Sequence, residues 1–250
     1  METLIVKGKY KVIRVLRTEE HFAACVAVDI TDPGNGKVIL DIYDGELLKP
    51  YIGYLSGLRH CAEFQDLFLF EESAVAVFSY AEGKTVDDAF FMGHRVPLPD
   101  CIEAADRLVE KTIAISDWPA NVSCPLLLTE QLLYEKHQND FLFSYVIVPL
   151  PKMNERELCL LLSDQLKKIL MIRIDTPLKV REFVRSLDDT PYESVLKLSS
   201  VWHTVREEIR GEAALSGKGN FLSRLSDIIR INFRDYRDRR KKSKRKGEAV

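Results

Sequence analysis

The spacing of apolar residues changes once along this chain, and that change limits the folds open to it. Up to about residue 80 the apolar residues alternate or run in short β-branched stretches; past residue 100 they recur every three to four positions. Residues 10–16 (YKVIRVL) and 22–30 (FAACVAVDI) read as strands. Asp32-Pro33-Gly34-Asn35-Gly36 is a turn, because proline fixes φ while glycine and asparagine tolerate positive φ. Residues 37–43 (KVILDIY) form the return strand of an antiparallel meander. One helical stretch interrupts, over residues 45–59, with Leu48, Ile52, Leu55 and Leu58 on one face and Pro50 confined to its first turn. Strands over 66–70 and 74–80 then flank the polar turn Glu71-Glu72-Ser73, and Gly83 breaks the chain.

After Pro97-Leu98-Pro99-Asp100 the pattern is helical. Residues 101–115 align Ile102, Ala105, Leu108, Val109, Thr112 and Ile113. A hairpin is predicted over 126–148, turning at His137-Gln138-Asn139-Asp140, and 154–208 is helical again. The expected class is therefore α+β in two lobes: a β lobe with one helix over 1–84, a mainly helical lobe over 85–216, and a tail over 217–250.

Composition narrows the function classes. No window approaches the ~18 apolar residues that cross a bilayer, and the N-terminus has no secretion-signal pattern. Five scattered cysteines, never in C-x-x-C spacing, read as reduced cytosolic thiols. The five histidines are equally scattered, so no metal site is expected. The net charge of −2 conceals an asymmetry. Residues 221–250 hold 11 basic against 4 acidic side chains, and the rest of the chain 25 against 34. As a helix, the tail aligns Phe221, Leu222, Leu225, Ile228, Ile229, Asn232, Phe233 and Tyr236, opposite Arg224, Asp227, Arg230, Arg234, Arg237 and Asp238. An amphipathic helix followed by a basic run suits an anionic membrane surface, met by Arg234, Arg237, Arg239, Arg240, Lys241, Lys242, Lys244, Arg245 and Lys246. The competing expectation docks that helix on the acidic body. Nucleic acid is not expected, since few aromatics interleave the basic residues.

The order of elements resembles that of a protein kinase. Residues 16–29 (LRTEEHFAACVAVD) match the glycine-rich strand–loop–strand in length and in the closing A-V-D, but Arg17, Glu19 and Phe22 occupy the three glycine positions. Glycine there lets backbone N–H groups approach ATP phosphates, which long charged or aromatic side chains block. Asp41 stands where the family has its phosphate-binding lysine, and Tyr51 where that lysine's glutamate partner belongs. Phe78, Ser79, Tyr80 and Ala81 are similar to the hinge, followed by the E-G-x-T-L-like Glu82–Val86 stretch. Residues 129–134 (TEQLLY) resemble P-E-N-I-L-L of the catalytic loop, which places Cys124-Pro125-Leu126 at H-R-D and Gln131 at the metal-binding asparagine. Ser144-Tyr145-Val146 falls at D-F-G, with only about ten residues before the next helix, where Leu162-Ser163-Asp164 resembles the start of a structural helix.

Across roughly residues 9–205 the chain resembles a degenerate bacterial serine/threonine kinase, in particular the cytosolic pseudokinase-like domain of type VII secretion membrane proteins. That resemblance implies a catalytically inactive protein-binding scaffold with no nucleotide or other cofactor and no catalytic residue. It implies protein partners among secretion components and a place on the inner membrane face. In that family a membrane segment follows the domain, which would make this chain a soluble fragment ending just before it. The alternative expectation is an atypical phosphotransferase with a relocated lysine, for which Lys11 and Lys49 are candidates.

Overall fold

The computed structural model describes residues 4–32, 34, 36–91, 96–172, 176–189 and 192–216. Strands β1 (Ile5–Val6), β2 (Tyr10–Glu19), β3 (Phe22–Asp29), β4 (Lys37–Tyr43), β5 (Phe64–Phe70) and β6 (Ser73–Ser79) form one antiparallel sheet in the order β1-β2-β3-β4-β6-β5. Helix α1 (Leu48–Ser56), flanked by short 3-10 turns, joins β4 to β5. Pro50 sits in its first turn, where a missing N–H costs nothing. The helical part comprises α2 (Leu98–Ser116), α3 (Ala120–Leu126), α4 (Glu155–Ile169), α5 (Leu178–Asp189) and α6 (Val195–Ser216). Strands β7 (Lys84–Thr85), β8 (Leu132–Glu135) and β9 (Asp140–Phe143) make a second small sheet.

Alternation along β4 explains how the two parts join. Val38 and Leu40 enter a small cluster on one face of the sheet with Val6, Tyr10, Val75 and Val77. Ile39 and Tyr43 point the other way, into a core continuous with Leu108, Leu126, Ile147, Leu162 and Trp202 of the helical part. Asp41 shares that second face by the same period of two. Its cross-strand neighbours are Ala24 on β3 and Ala76 on β6.

Two connections depart from the expected hairpin over 126–148. Residues 120–126 are helix α3, and the strand pair ends at Phe143. Residues 144–150 then run without regular structure, yet Tyr145, Val146, Ile147 and Val148 are all buried. The apolar run marks burial between layers rather than pairing in a sheet. Helix α4 begins with Asn154, whose side chain accepts from the Glu157 amide at 3.1 Å, and ends with Lys167 and Lys168 against the negative end of its dipole.

Trp202 is buried in the core. Its Nε1 donates to Asp106 Oδ1 at 2.7 Å, while Arg206 Nε meets Oδ2 at 2.7 Å. This triad fastens α6 to α2, and burial pushes the Asp106 carboxyl above its ordinary value. Asp106→Ala leaves the indole N–H without an acceptor in a buried site. Unfolding by urea should show a loss of ~2–3 kcal/mol; a loss under about 0.5 kcal/mol would mean that the triad does not anchor α6.

Candidate functional site

The kinase-like positions converge between the large sheet and the helices. At the centre stands Asp41, fully buried on β4. Its Oδ2 accepts from the Ile147 amide at 2.7 Å and lies 3.3 Å from the Tyr43 hydroxyl, which donates to the Ile147 carbonyl at 2.8 Å. One residue of the 144–150 strap, Ile147, is thus gripped at both its N–H and its C=O by two side chains of one strand. They sit at i and i+2 and so share a face. Asp41 Oδ1 is buried without a hydrogen-bond partner. Burial pushes the carboxyl up to about 8, against the opposing pull of the bonds from Ile147 and Tyr43. Near neutral pH the position of the family's lysine therefore holds a mostly uncharged acid.

Tyr51, at the ion-pair glutamate position, is buried with its ring stacked on Tyr43 at 4.2 Å between centroids. Phe22, at the third glycine position, packs on the other side of Tyr43 at 5.2 Å. An aromatic stack thus occupies the place of an ion pair. The strap continues this filling: Tyr145 stacks on the hinge residue Phe78 at 5.3 Å, and its hydroxyl reaches Glu63 Oε2 at 3.1 Å. Desolvation raises the Tyr145 hydroxyl well above its usual range, so it stays a neutral donor. The remaining hinge residues lie toward the surface. Ser79 accepts from Gln65 at 3.0 Å, Ala81 follows outside any strand, and Lys37 reaches over the Tyr80 ring at 5.1 Å while pairing with Glu82 at 2.8 Å.

The β2–β3 hairpin is held near its tip by two sets of contacts. At its tip His21, with φ of +79°, bonds Asp44 Oδ1 through Nδ1 at 2.7 Å, and the Asp44 amide donates to the His21 carbonyl at 3.2 Å. The carboxylate raises the imidazole above its ordinary value. Gly45 packs so closely below that a Cβ there would lie 2.5 Å from the His21 ring. A few residues back from the tip, Arg17 pairs with Glu19 at 2.6 Å and reaches Glu130 of the helical part at 3.7 Å.

Gln131 and Ser144, the positions of the two metal ligands, do come together. The Ser144 hydroxyl bonds the Gln131 side chain, and the Ser144 amide donates to the Gln131 carbonyl at 2.8 Å. Two neutral side chains satisfying each other offer no carboxylate to a divalent cation. Among the described residues no group of three His, Cys, Asp or Glu side chains is placed to hold a metal. Leu126 is fully buried in the last turn of α3, so the H-R-D positions sit in a helix and not in a loop. Cys124, two residues earlier, is buried and its thiol is pushed up to about 12, which keeps it protonated.

Leu162-Ser163-Asp164 lies within α4. Asp164 is exposed and pairs with Lys167 at 2.7 Å. Its buried neighbour Gln165 is the residue that holds the preceding loop, donating to the Leu127 carbonyl at 2.9 Å and to the Thr129 hydroxyl at 3.2 Å. Sequence reasoning also missed Tyr43, Tyr145 and Ile147. An acid between aliphatic residues in a strand, with a tyrosine two positions on, was the signal available for the first. The tail positions Arg234, Arg237, Arg239, Arg240, Lys241, Lys242, Lys244, Arg245 and Lys246 lie outside the described residues.

No protein-family model matches the sequence, and no curated protein matches it. Solved structures do match. The kinase domain of Mycobacterium tuberculosis PknI, as a double mutant, aligns with a TM-score of 0.56 at 10% identity, over 82% of this chain and 99% of that one. Rad53 1–466 in complex with AMP-PNP aligns with a TM-score of 0.54 at 13% identity, over 78% of this chain and 65% of that one. The chain has a protein-kinase-like fold. In that fold β2 to β6 with α1 form the N-terminal lobe, and the Asp41–Tyr43–Ile147 contact ties that lobe to the strap below it.

The folded-state value of Asp41 lies above the ordinary carboxyl value, so the folded protein keeps a proton that the unfolded chain releases. This contribution is complete below about pH 4 and declines as the pH rises toward 8, by at most ~1.4 kcal/mol per unit. Asp41→Asn should flatten the decline, seen as a shallower pH dependence of urea midpoints between pH 5 and 8. An unchanged slope would place the titrating group elsewhere.

Proposed function

We propose that this protein is a catalytically inactive, kinase-like scaffold that works by binding other proteins. The observation that carries this reading is the buried Asp41–Tyr43–Ile147 contact. Phosphoryl transfer depends on positioned positive charge and metal ions around the phosphates. Here the lysine position bears an acid, aromatic stacking occupies the ion-pair position, and the metal-ligand positions bear a serine and a glutamine bonded to each other. Lys11 and Lys49, the candidate replacements for the lysine, are both exposed. No described feature favours the alternative of an atypical phosphotransferase.

The setting we propose rests on resemblance and charge. The pattern resembles the cytosolic domain of type VII secretion membrane proteins, whose partners would be other components of that machinery. The basic run at 239–246 would lie against the anionic inner face of a bacterial membrane, each basic residue contributing on the order of 1 kcal/mol. No helix among the described residues is long and apolar enough to cross a membrane.

Two measurements test this. ATP with Mg²⁺ should leave the melting temperature unchanged within about 1 °C, and labelled ATP should give no incorporation; label that vanishes when a cleft residue is changed would defeat the reading. Replacing the seven basic residues of 239–246 by glutamine should abolish flotation with vesicles containing anionic lipid. Equal flotation of both proteins would remove the membrane assignment.

A further inference from the structure

The outer edge of strand β2 is covered over only part of its length. The two residues of β1 pair with Lys11 and Tyr10, and the Val12 amide donates to the Leu4 carbonyl at 3.0 Å. Over 13–19 no strand among the described residues pairs with that edge. Large apolar side chains stand exposed just there: Ile13 and Val15 are more than half exposed, Leu16 less so, and Leu4 and Ile5 at the start of β1 are exposed as well. A bare edge of unpaired N–H and C=O groups among exposed apolar side chains is a template for another strand. We infer that the 13–19 edge pairs antiparallel with the same edge of a second copy of this chain, joining two large sheets about a two-fold axis. The pairing does not depend on whether the cleft binds nucleotide.

The register of β2 on β3 fixes the face that each side chain takes, because directly opposed residues of an antiparallel pair share a face. Arg14, Arg17 and Glu19 stand opposite Val26, Ala24 and Phe22, whose side chains enter the core shared with the helical part. Val15 and Thr18, opposite Cys25 and Ala23, take the outer face. Ile13 and Leu16 are skipped by the register, so β2 is bulged at both. One two-fold register uses the free stretch and keeps the faces matched: Arg14 opposite Glu19 of the second copy, with Val15 opposite its Thr18. Sliding the copies one residue further across each other opposes Arg14 with Thr18, which lies on the other face. Sliding them by two opposes Arg14 with Arg17, of like charge.

Charge and length both favour a second copy over an unrelated strand. By symmetry the register makes two Arg14–Glu19 pairs, one on either side of the axis. Arg14 is exposed and has no ion pair among the described residues; the charge that acts with it is that of Lys37, of like sign. Glu19 is exposed and shares Arg17 with Glu130, which leaves it open to a second cation. An edge that carries its own complement is what an isologous contact requires. Strand β2 ends at Glu19 and a turn follows at Glu20 and His21. In this register that turn reaches Ile13 of the other copy, just past the cover given by β1, so β1 and the second copy do not compete for one edge. A strand pair of this length is a small interface, and the dimer is therefore concentration-dependent.

Sedimentation velocity on the full chain tests this. The average mass should rise with concentration from that of one chain toward that of two, and amides of 13–19 should gain protection from hydrogen exchange over the same range. Arg14→Glu and Glu19→Arg should each weaken association at least ~10-fold, since both pairs across the axis turn from attraction to repulsion. Mixing the two variants in equal amounts should restore the two-chain mass, because both cross-pairs then join opposite charges. A chain carrying both substitutions should pair with itself. Protection of β4 and β6 in each variant checks that the fold is intact. Four results would overturn the inference: a one-chain mass at every concentration, a dimer that either charge reversal leaves unchanged, a mixture that stays at the mass of one chain, or a dimer in which 13–19 gain no protection.

Discussion

A single residue, Ile147, is held at its N–H by Asp41 and at its C=O by Tyr43, and the rest of the cleft is arranged around that grip. Both side chains sit on the central strand of the large sheet, flanked by alanines that leave them room. A buried carboxyl with one unpartnered oxygen is costly, and the cost is tolerable only because the group stays protonated and its other oxygen is bonded. The contact fixes where the strap crosses between lobes. Once it is fixed, Tyr145 reaches Phe78 and Val146 and Val148 are drawn into the core.

From that constraint the other substitutions follow a common logic. A nucleotide site needs charge, water and a mobile phosphate cover. Here charge is replaced by a neutral acid and by stacked rings, and the metal-ligand positions are closed on each other. The covering hairpin is pinned by His21 to Asp44 and by Arg17 toward Glu130. The catalytic-loop positions are taken into a helix whose Leu126 belongs to the core. These side chains pack between the large sheet and the helical part, in one continuous core.

Much of the fold was legible from periodicity. Strands 10–16, 37–43 and 74–80 and the helix of 101–115 stand within a few residues of their expected bounds, while the helical region of 154–208 divides into α4, α5 and α6, the last reaching Ser216. The misreadings share one cause. Residues 144–148 carry a continuous apolar run, and such a run reports burial without saying whether the backbone pairs in a sheet or passes between layers. For the same reason α3 was hidden: seven residues with Pro125 inside them give too little pattern to separate helix from strand. Gln165 gave no sequence signal, because its role is set by which side of α4 faces the Leu127 carbonyl, a matter of helix rotation.

Residue identity at a fixed spacing is local information, so the chain alone already shows Arg17, Glu19, Phe22, Asp41 and Tyr51 at the positions that resemble a kinase's glycines, lysine and glutamate, and its split into an acidic body and a basic tail. What those side chains touch is set by contacts between distant segments. Thus Asp41 grips Ile147, 106 residues away, and Gln131 closes on Ser144. Such contacts arise from how layers stack, and nothing in the local spacing of residues encodes them.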